Sequence, residues 1–231
     1  MKKITAILLI LIGIVSCNSQ AQKGSLSPDE FEAKLNTGAY QLLDVRTANE
    51  YKSGYLKKSL QADWNNPSEF KDRAQYLDKT KPVLVYCASG VRSSSAADYL
   101  LTMGFKEVSN LQGGLVSWKR SGKPVESAAN LPQMTLDEYA TAVKKDAIVL
   151  VDFGAEWCPP CIKMEPVLNQ LLSDASLKFS FVKVDGGNDT NIMNAQNVAA
   201  LPVFIVYKNG VEVWRKQGVV EQAELKKQLS K

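Results

Sequence analysis

Val149-Leu150-Val151-Asp152-Phe153-Gly154-Ala155-Glu156-Trp157-Cys158-Pro159-Pro160-Cys161 decides how the second half of this chain folds. The apolar run from Ala147 to Phe153 reads as a strand, and Cys161 to Leu172 reads as a helix. The dithiol therefore stands where a strand hands over to a helix. Helix N-terminal N–H groups and the helix dipole favour negative charge at that point. This predicts a lowered pKa for Cys158, which makes it the nucleophile. Cys161 follows one turn into the helix, close enough to resolve a mixed disulfide. Pro159 and Pro160 fix the loop and remove two N–H donors.

The rest of the composition narrows the chemistry. The chain has 231 residues, four cysteines and no histidine. Without histidine, imidazole acid/base catalysis and most zinc sites are excluded, so the thiols must be activated by other means. Half of a zinc site at Cys158 and Cys161 would need two more ligands, which the sequence does not supply nearby. No metal and no cofactor is expected. Four cysteines are too few for a disulfide-stapled scaffold, and hydrophobic residues at 45% support ordinary cores. A net charge of +4 is too weak and too evenly spread to argue for nucleic acid.

Working outward, two segments open alike. Ser27-Pro28-Asp29-Glu30 and Thr135-Leu136-Asp137-Glu138 are capping boxes, each leading through a helix to an apolar strand. They mark the starts of two α/β domains. Ser121-Gly122-Lys123-Pro124 and the small polar residues that follow separate them. The expected division is 1–17 signal peptide, 18–26 tether, 27–125 first domain, 126–133 linker and 134–231 second domain. In the first domain, strands at 40–45, 83–86 and 107–111 alternate with helices near 67–77 and 92–102, which predicts a parallel sheet. In the second, strands follow at 179–184, 203–207 and 211–214. The last two are joined by Lys208-Asn209-Gly210, and a helix at 221–229 closes the domain.

Over nearly all of 133–231 the sequence resembles thioredoxin. The strand 149–153, the Trp157–Cys161 motif and Pro166 in the following helix carry the resemblance, with Gly210 and Gly218. It implies a thioredoxin fold in which Asp152 is the buried acid that takes the proton from the resolving thiol. It implies that Lys183 lies near that acid, and that Leu201-Pro202 is a cis-proline loop facing the disulfide. Two residues depart from the family pattern: Pro-Pro between the cysteines instead of Gly-Pro, and Val203 where Thr is usual. Both bear on redox potential and partner choice. A permanent structural disulfide is the alternative reading. Trp157 beside the motif and Asp152 behind it favour redox work.

In the first domain Cys87-Ala88-Ser89-Gly90-Val91-Arg92 follows the β-rich run 83–86 and precedes a helix starting near Ser93. Such a small-residue loop turns successive N–H groups inward on the thiol. With the helix N-terminus and Arg92 they form a cradle for an anion on Cys87, or on a sulfur attached to it. From about 27 to 125 the sequence resembles rhodanese sulfurtransferases. The carrying residues are Leu42–Arg46, Glu50-Tyr51, the loop 87–92, Leu111–Leu115 and Trp118. The resemblance implies that Cys87 carries the transferred sulfur as a persulfide. The six-residue span from Cys87 to Arg92 fits sulfur-handling members better than the longer phosphatase loops. Gly54-Tyr55 departs from the Gly-His common in the family. Asp44 and Arg46 are expected to pair and brace the loop. Trp64 and Trp118 are read as core or interface aromatics.

Met1-Lys2-Lys3, the apolar run 4–15 and Ser16-Cys17 read as a secretory signal, too short to span a bilayer comfortably. Its end resembles a bacterial lipobox, which makes Cys17 the expected lipid anchor. The fold class is thus α/β, with a rhodanese-like parallel-sheet domain followed by a thioredoxin fold. The expected protein is an extracytoplasmic, membrane-anchored lipoprotein facing the periplasm. It would be a thiol-disulfide oxidoreductase coupled to sulfurtransfer. The expected partners are a sulfane-sulfur donor such as thiosulfate, client protein disulfides and a membrane thiol reductant. The rival is a thiol-disulfide reductase whose first domain only binds partners or senses oxidants.

Overall fold

The computed structural model describes residues 21–127 and 131–230. The signal segment and the anchor Cys17 lie outside the described residues. Among the described residues no helix is long and apolar enough to cross a membrane.

The first domain is built on a five-stranded parallel sheet of order β1-β5-β4-β2-β3. Its strands are β1 (Gln22–Leu26), β2 (Gln41–Asp44), β3 (Leu60–Gln61), β4 (Val83–Tyr86) and β5 (Glu107–Leu111). Its helices are α1 (Pro28–Asn36), α2 (Ala48–Ser53), α3 (Pro67–Ala74), α4 (Val91–Thr102) and α5 (Gly114–Arg120). All four residues of β4 are buried, as a parallel strand covered on both faces requires. α1 starts on its capping box: Ser27 accepts from the Glu30 N–H and Glu30 returns to the Ser27 N–H, with Pro28 in the first turn.

One expectation needs correcting. Gln22–Leu26 falls in the stretch read as a flexible tether, yet it is a strand paired with β5 from Gln22↔Glu107 to Leu26↔Leu111. Its residues show no apolar alternation. Backbone pairing at a sheet edge holds it, which side-chain pattern does not report. The short elements α2, β3 and α5 are also additional to the strands and helices read from the sequence. They are too short for periodicity to register.

The second domain has β6 (Ile148–Gly154) at its centre, parallel to β7 (Ser180–Asp185) and antiparallel to β8 (Val203–Lys208), which pairs with β9 (Val211–Gln217). The sheet order is β7-β6-β8-β9. Helices α6 (Leu136–Ala142), α7 (Pro159–Ser173), α8 (Thr190–Ala195) and α9 (Gln222–Leu229) surround it. Two apolar clusters pack its opposite faces. Val149, Val151, Phe153 and Ile205 lie on one side; Leu150, Met164, Phe204 and Leu225 lie on the other. The alternation along β6 decides which side each residue joins.

Candidate active site

Cys87 sits at the end of β4, inside the turn that leads into α4, and is fully buried. The Gly90 N–H donates to its Sγ at 3.1 Å, and the Ser93 hydroxyl lies 3.3 Å away. Burial pushes the Cys87 thiol up, but the hydrogen bonds from Ser93, Ser89 and Gly90 outweigh it, and the thiol lies below its ordinary range. The loop curls because Gly90 adopts φ 90°, in the left-handed region. α5 holds it from outside: the Leu115 and Val116 N–H groups donate to the Cys87 and Ala88 carbonyls at 2.8 and 3.0 Å. The loop carbonyls are thereby turned outward and its amides inward. Gly114 permits this approach, since a Cβ there would lie 2.5 Å from the Cys87 carbonyl oxygen.

Arg92 does not serve the cradle alone. Its guanidinium makes a bidentate pair with Glu50, at 2.9 and 2.6 Å. That pairing holds the Glu50 carboxyl down at about 2 and raises Arg92. Glu50 and Ser93 are thus site residues beyond those assigned from the sequence. Thr47 and Glu50 form a capping box at the start of α2, a sequence signal that could have located that helix. Asp44 and Arg46 pair as expected, at 2.5 Å, and Arg46 also donates to the Gly54 carbonyl at 2.7 Å. Trp64 packs edge-on against Phe70, and Trp118 is buried in the core.

In the second domain Cys158 and Cys161 form a disulfide, with Cys158 as N-cap of α7 and Pro159 and Pro160 opening the helix. Leu201-Pro202 is cis. Asp152 stands opposite Lys183 in the β6–β7 register, and both line a cavity of about 200 Å³ with Cys161 and Glu165. Burial pushes Asp152 up to about 6, against the pull of Lys183. A carboxyl poised near neutrality beside the second cysteine is suited to take a proton from it.

The tertiary structure adds an arrangement that the sequence did not announce: the two domains meet at the dithiol. The Gln61 N–H donates to the Trp157 carbonyl at 2.8 Å. The Arg73 guanidinium lies over the Trp157 ring at 5.1 Å, and Tyr51 packs against it at 5.6 Å. Lys52 reaches the Asn188 carbonyl at 3.3 Å. Cys87 and Cys158 stand on different domains, at the end of β4 and at the start of α7. Tyr86, Asp44 and Gln61 form one row across the sheet. Two strand spacings, about 10 Å, therefore separate the end of β4 from Gln61 alone.

Comparisons with known proteins find a separate likeness for each domain. Residues 27–121 match the family model described as rhodanese-like domain, and residues 130–231 match the model described as thioredoxin. A tRNA uridine(34) hydroxylase of Chlamydia abortus is 37% identical over 98 residues, covering 40% of this chain and 30% of that protein. Thioredoxin Y, chloroplastic, of Oryza sativa subsp. japonica is 38% identical over 86 residues, 37% of this chain and 51% of that protein. A rhodanese-related protein of Thermoplasma volcanium, known as a crystal structure, is 31% identical, covers 45% of this chain and 97% of its own, and has a TM-score of 0.40. The chain spans between 30% and 51% of the length of the two curated relatives.

Proposed function

From a chain in which a rhodanese-like domain at 27–121 is followed by a thioredoxin domain at 130–231, we propose a thiol oxidoreductase that couples sulfurtransfer at Cys87 to the Cys158/Cys161 dithiol. One observation carries the reading. A buried thiol held below its ordinary pKa by hydrogen-bond donors and a redox-type dithiol occupy the same molecule.

The chemistry balances as follows. The Cys87 thiolate attacks the outer sulfur of thiosulfate, releasing sulfite and leaving a persulfide on Cys87. The Cys158 thiolate then takes the terminal sulfur, restoring Cys87. Cys161 attacks Cys158 Sγ, sulfide leaves, and the 158–161 disulfide forms with Asp152 accepting the Cys161 proton. Two electrons pass from the dithiol to the sulfane sulfur. On a client protein disulfide the same dithiol acts without Cys87. A reductant must then restore the pair, and a membrane thiol shuttle fits the role. The Lys-rich start, apolar run and Cys17 support secretion and lipid anchoring, with the protein working on the periplasmic side. Tethering two modules gives effective concentrations on the order of mM, the physical reason to join them.

The test is to load Cys87 with sulfane sulfur, reduce the dithiol and measure sulfide release. Equal release from the Cys158→Ser variant would sink the relay. A second reading draws support from the grip on Trp157: a disulfide reductase whose rhodanese-like domain binds and covers. It expects insulin reduction with no thiosulfate sulfurtransferase activity.

A further inference from the structure

A thiol that attacks a sulfur must meet it in line, yet Cys158 has 0% exposure. Cys158 packs in the core of its own domain, and Trp157 and Pro160, on either side of it in the chain, are the ones met from the other domain. The carbonyl of the preceding residue, Trp157, is capped by the Gln61 N–H at the end of the edge strand β3. α3 packs along α7, and between them a cleft of about 420 Å³ is walled by Glu69 and Asp72 on one side and Pro160, Leu201 and Gly218 on the other. β3 and α3 therefore lie along the face that carries Trp157, Pro160 and the loop ending in the cis Leu201-Pro202 bond. A client offering an extended backbone would need that same face.

We propose that the rhodanese-like domain is the resident occupant of the dithiol face. The segment 60–76 acts as a cap, and an extended, cysteine-bearing polypeptide gains Cys158 only by displacing it. The contacts are of a kind that opens. Arg73 is almost fully buried, and burial pulls its charged form down. Its partners are Glu69, the Gln61 side chain and the Trp157 ring. Lys52 adds one further polar contact, to the Asn188 carbonyl. Beside the Tyr51–Trp157 ring contact these contacts are polar, and a mixed inter-domain interface of this kind leaves relative motion as the default. Closed, the cap shields the nucleophile from unproductive thiols. Open, it exposes Trp157 and the cis-proline loop together.

The experiment uses the full chain with Cys17→Ser and Cys87→Ser, so that only the pair reacts. Alkylation of the reduced dithiol is timed with iodoacetamide and with a polymer-tagged maleimide, in this background and with Lys52→Ala plus Arg73→Ala added. If the open form is a minor state, the bulky reagent gains on the small one by about tenfold in the loosened variant. An unchanged ratio of the two rates overturns the cap. A second measurement does not depend on that variant folding. With Cys161→Ser, a client peptide is trapped on Cys158 as a mixed disulfide and amide hydrogen exchange is followed. Exchange over 60–76 is expected to rise while 203–208 stays protected, and unchanged exchange over 60–76 overturns the proposal. The inference rests on Cys158 being the attacking thiol. Failure of every background to form a mixed disulfide would count against that reading, while the alkylation ratio still decides the cap.

Discussion

The backbone N–H of Gln61 donates to the carbonyl oxygen of Trp157 at 2.8 Å, joining the edge strand of one domain to the residue before Cys158 of the other. The Arg73 guanidinium closes over the same indole. A single residue of the redox motif is thus the point at which the domains hold one another.

Trp157→Ala is expected to uncouple the domains. The cation–π contact and the Tyr51 ring contact together are worth on the order of 1–3 kcal/mol. Calorimetry should then resolve two thermal transitions where the parent shows closer coupling. A single unshifted transition in the variant would count against the interface.

At Cys87, Ser93→Ala removes a hydrogen-bond donor to the sulfur. The thiolate loses on the order of 1 kcal/mol of stabilisation, and its titration moves to higher pH. Iodoacetamide trapping of Cys87 as a function of pH, in a Cys17→Ser/Cys158→Ser/Cys161→Ser background, reads the shift directly.

Asp152 makes stability pH-dependent with a definite sign. Its folded-state value of about 6 lies above the ordinary 3.8, so the folded protein holds the proton more tightly than the unfolded chain. Stability is therefore lost as pH rises from about 4 to about 6. Asp152→Asn should stabilise the protein by roughly 1–3 kcal/mol at pH 7 and by almost nothing at pH 4. Urea unfolding at the two pH values checks this. The same variant should slow disulfide formation by Cys161, which loses its proton acceptor.

Glu50→Gln breaks the charged fork on Arg92. The guanidinium is then free to face the sulfur on Cys87, and an anionic sulfur donor should bind better. The expected outcome is a several-fold lower KM for thiosulfate. A higher KM would show that Glu50 holds Arg92 in its working position. Because Glu50 titrates at about 2, the pair's contribution is present above the ordinary value of 4.5 and is lost as pH falls through about 2.

Gly114→Ala places a Cβ against the Cys87 and Ala88 carbonyls at a residue with φ 57°. A destabilisation of more than about 2 kcal/mol is expected, from strain and from the displaced loop. Denaturant unfolding and loss of the low-pKa thiol should appear together.

Both domains were legible because their strongest signals are local. The capping boxes at Ser27 and Thr135, the apolar strand before Cys158 and the small residues after Cys87 each act over one or two turns of chain. β1 was not legible: Gln22–Leu26 has no apolar period, and its stability comes from a partner 85 residues away at Glu107–Leu111. Neither was the role of Glu50, whose carboxylate meets Arg92 only after α2 and the Cys87 loop are brought side by side.

What the sequence by itself determined is the local setting of Cys87 and of the Cys158/Cys161 pair, since each is shaped by its own turn, the helix it opens and the amides of its own loop. What only the tertiary structure decided is access. Cys87 and Cys158 both lie buried, and the domain that holds one grips Trp157 beside the other. The reason is physical. Activation is set by groups within a few residues, whereas burial and contact between domains depend on side chains such as Gln61, Arg73 and Tyr51. Their partners are chosen by packing, with no periodicity or motif to record the choice.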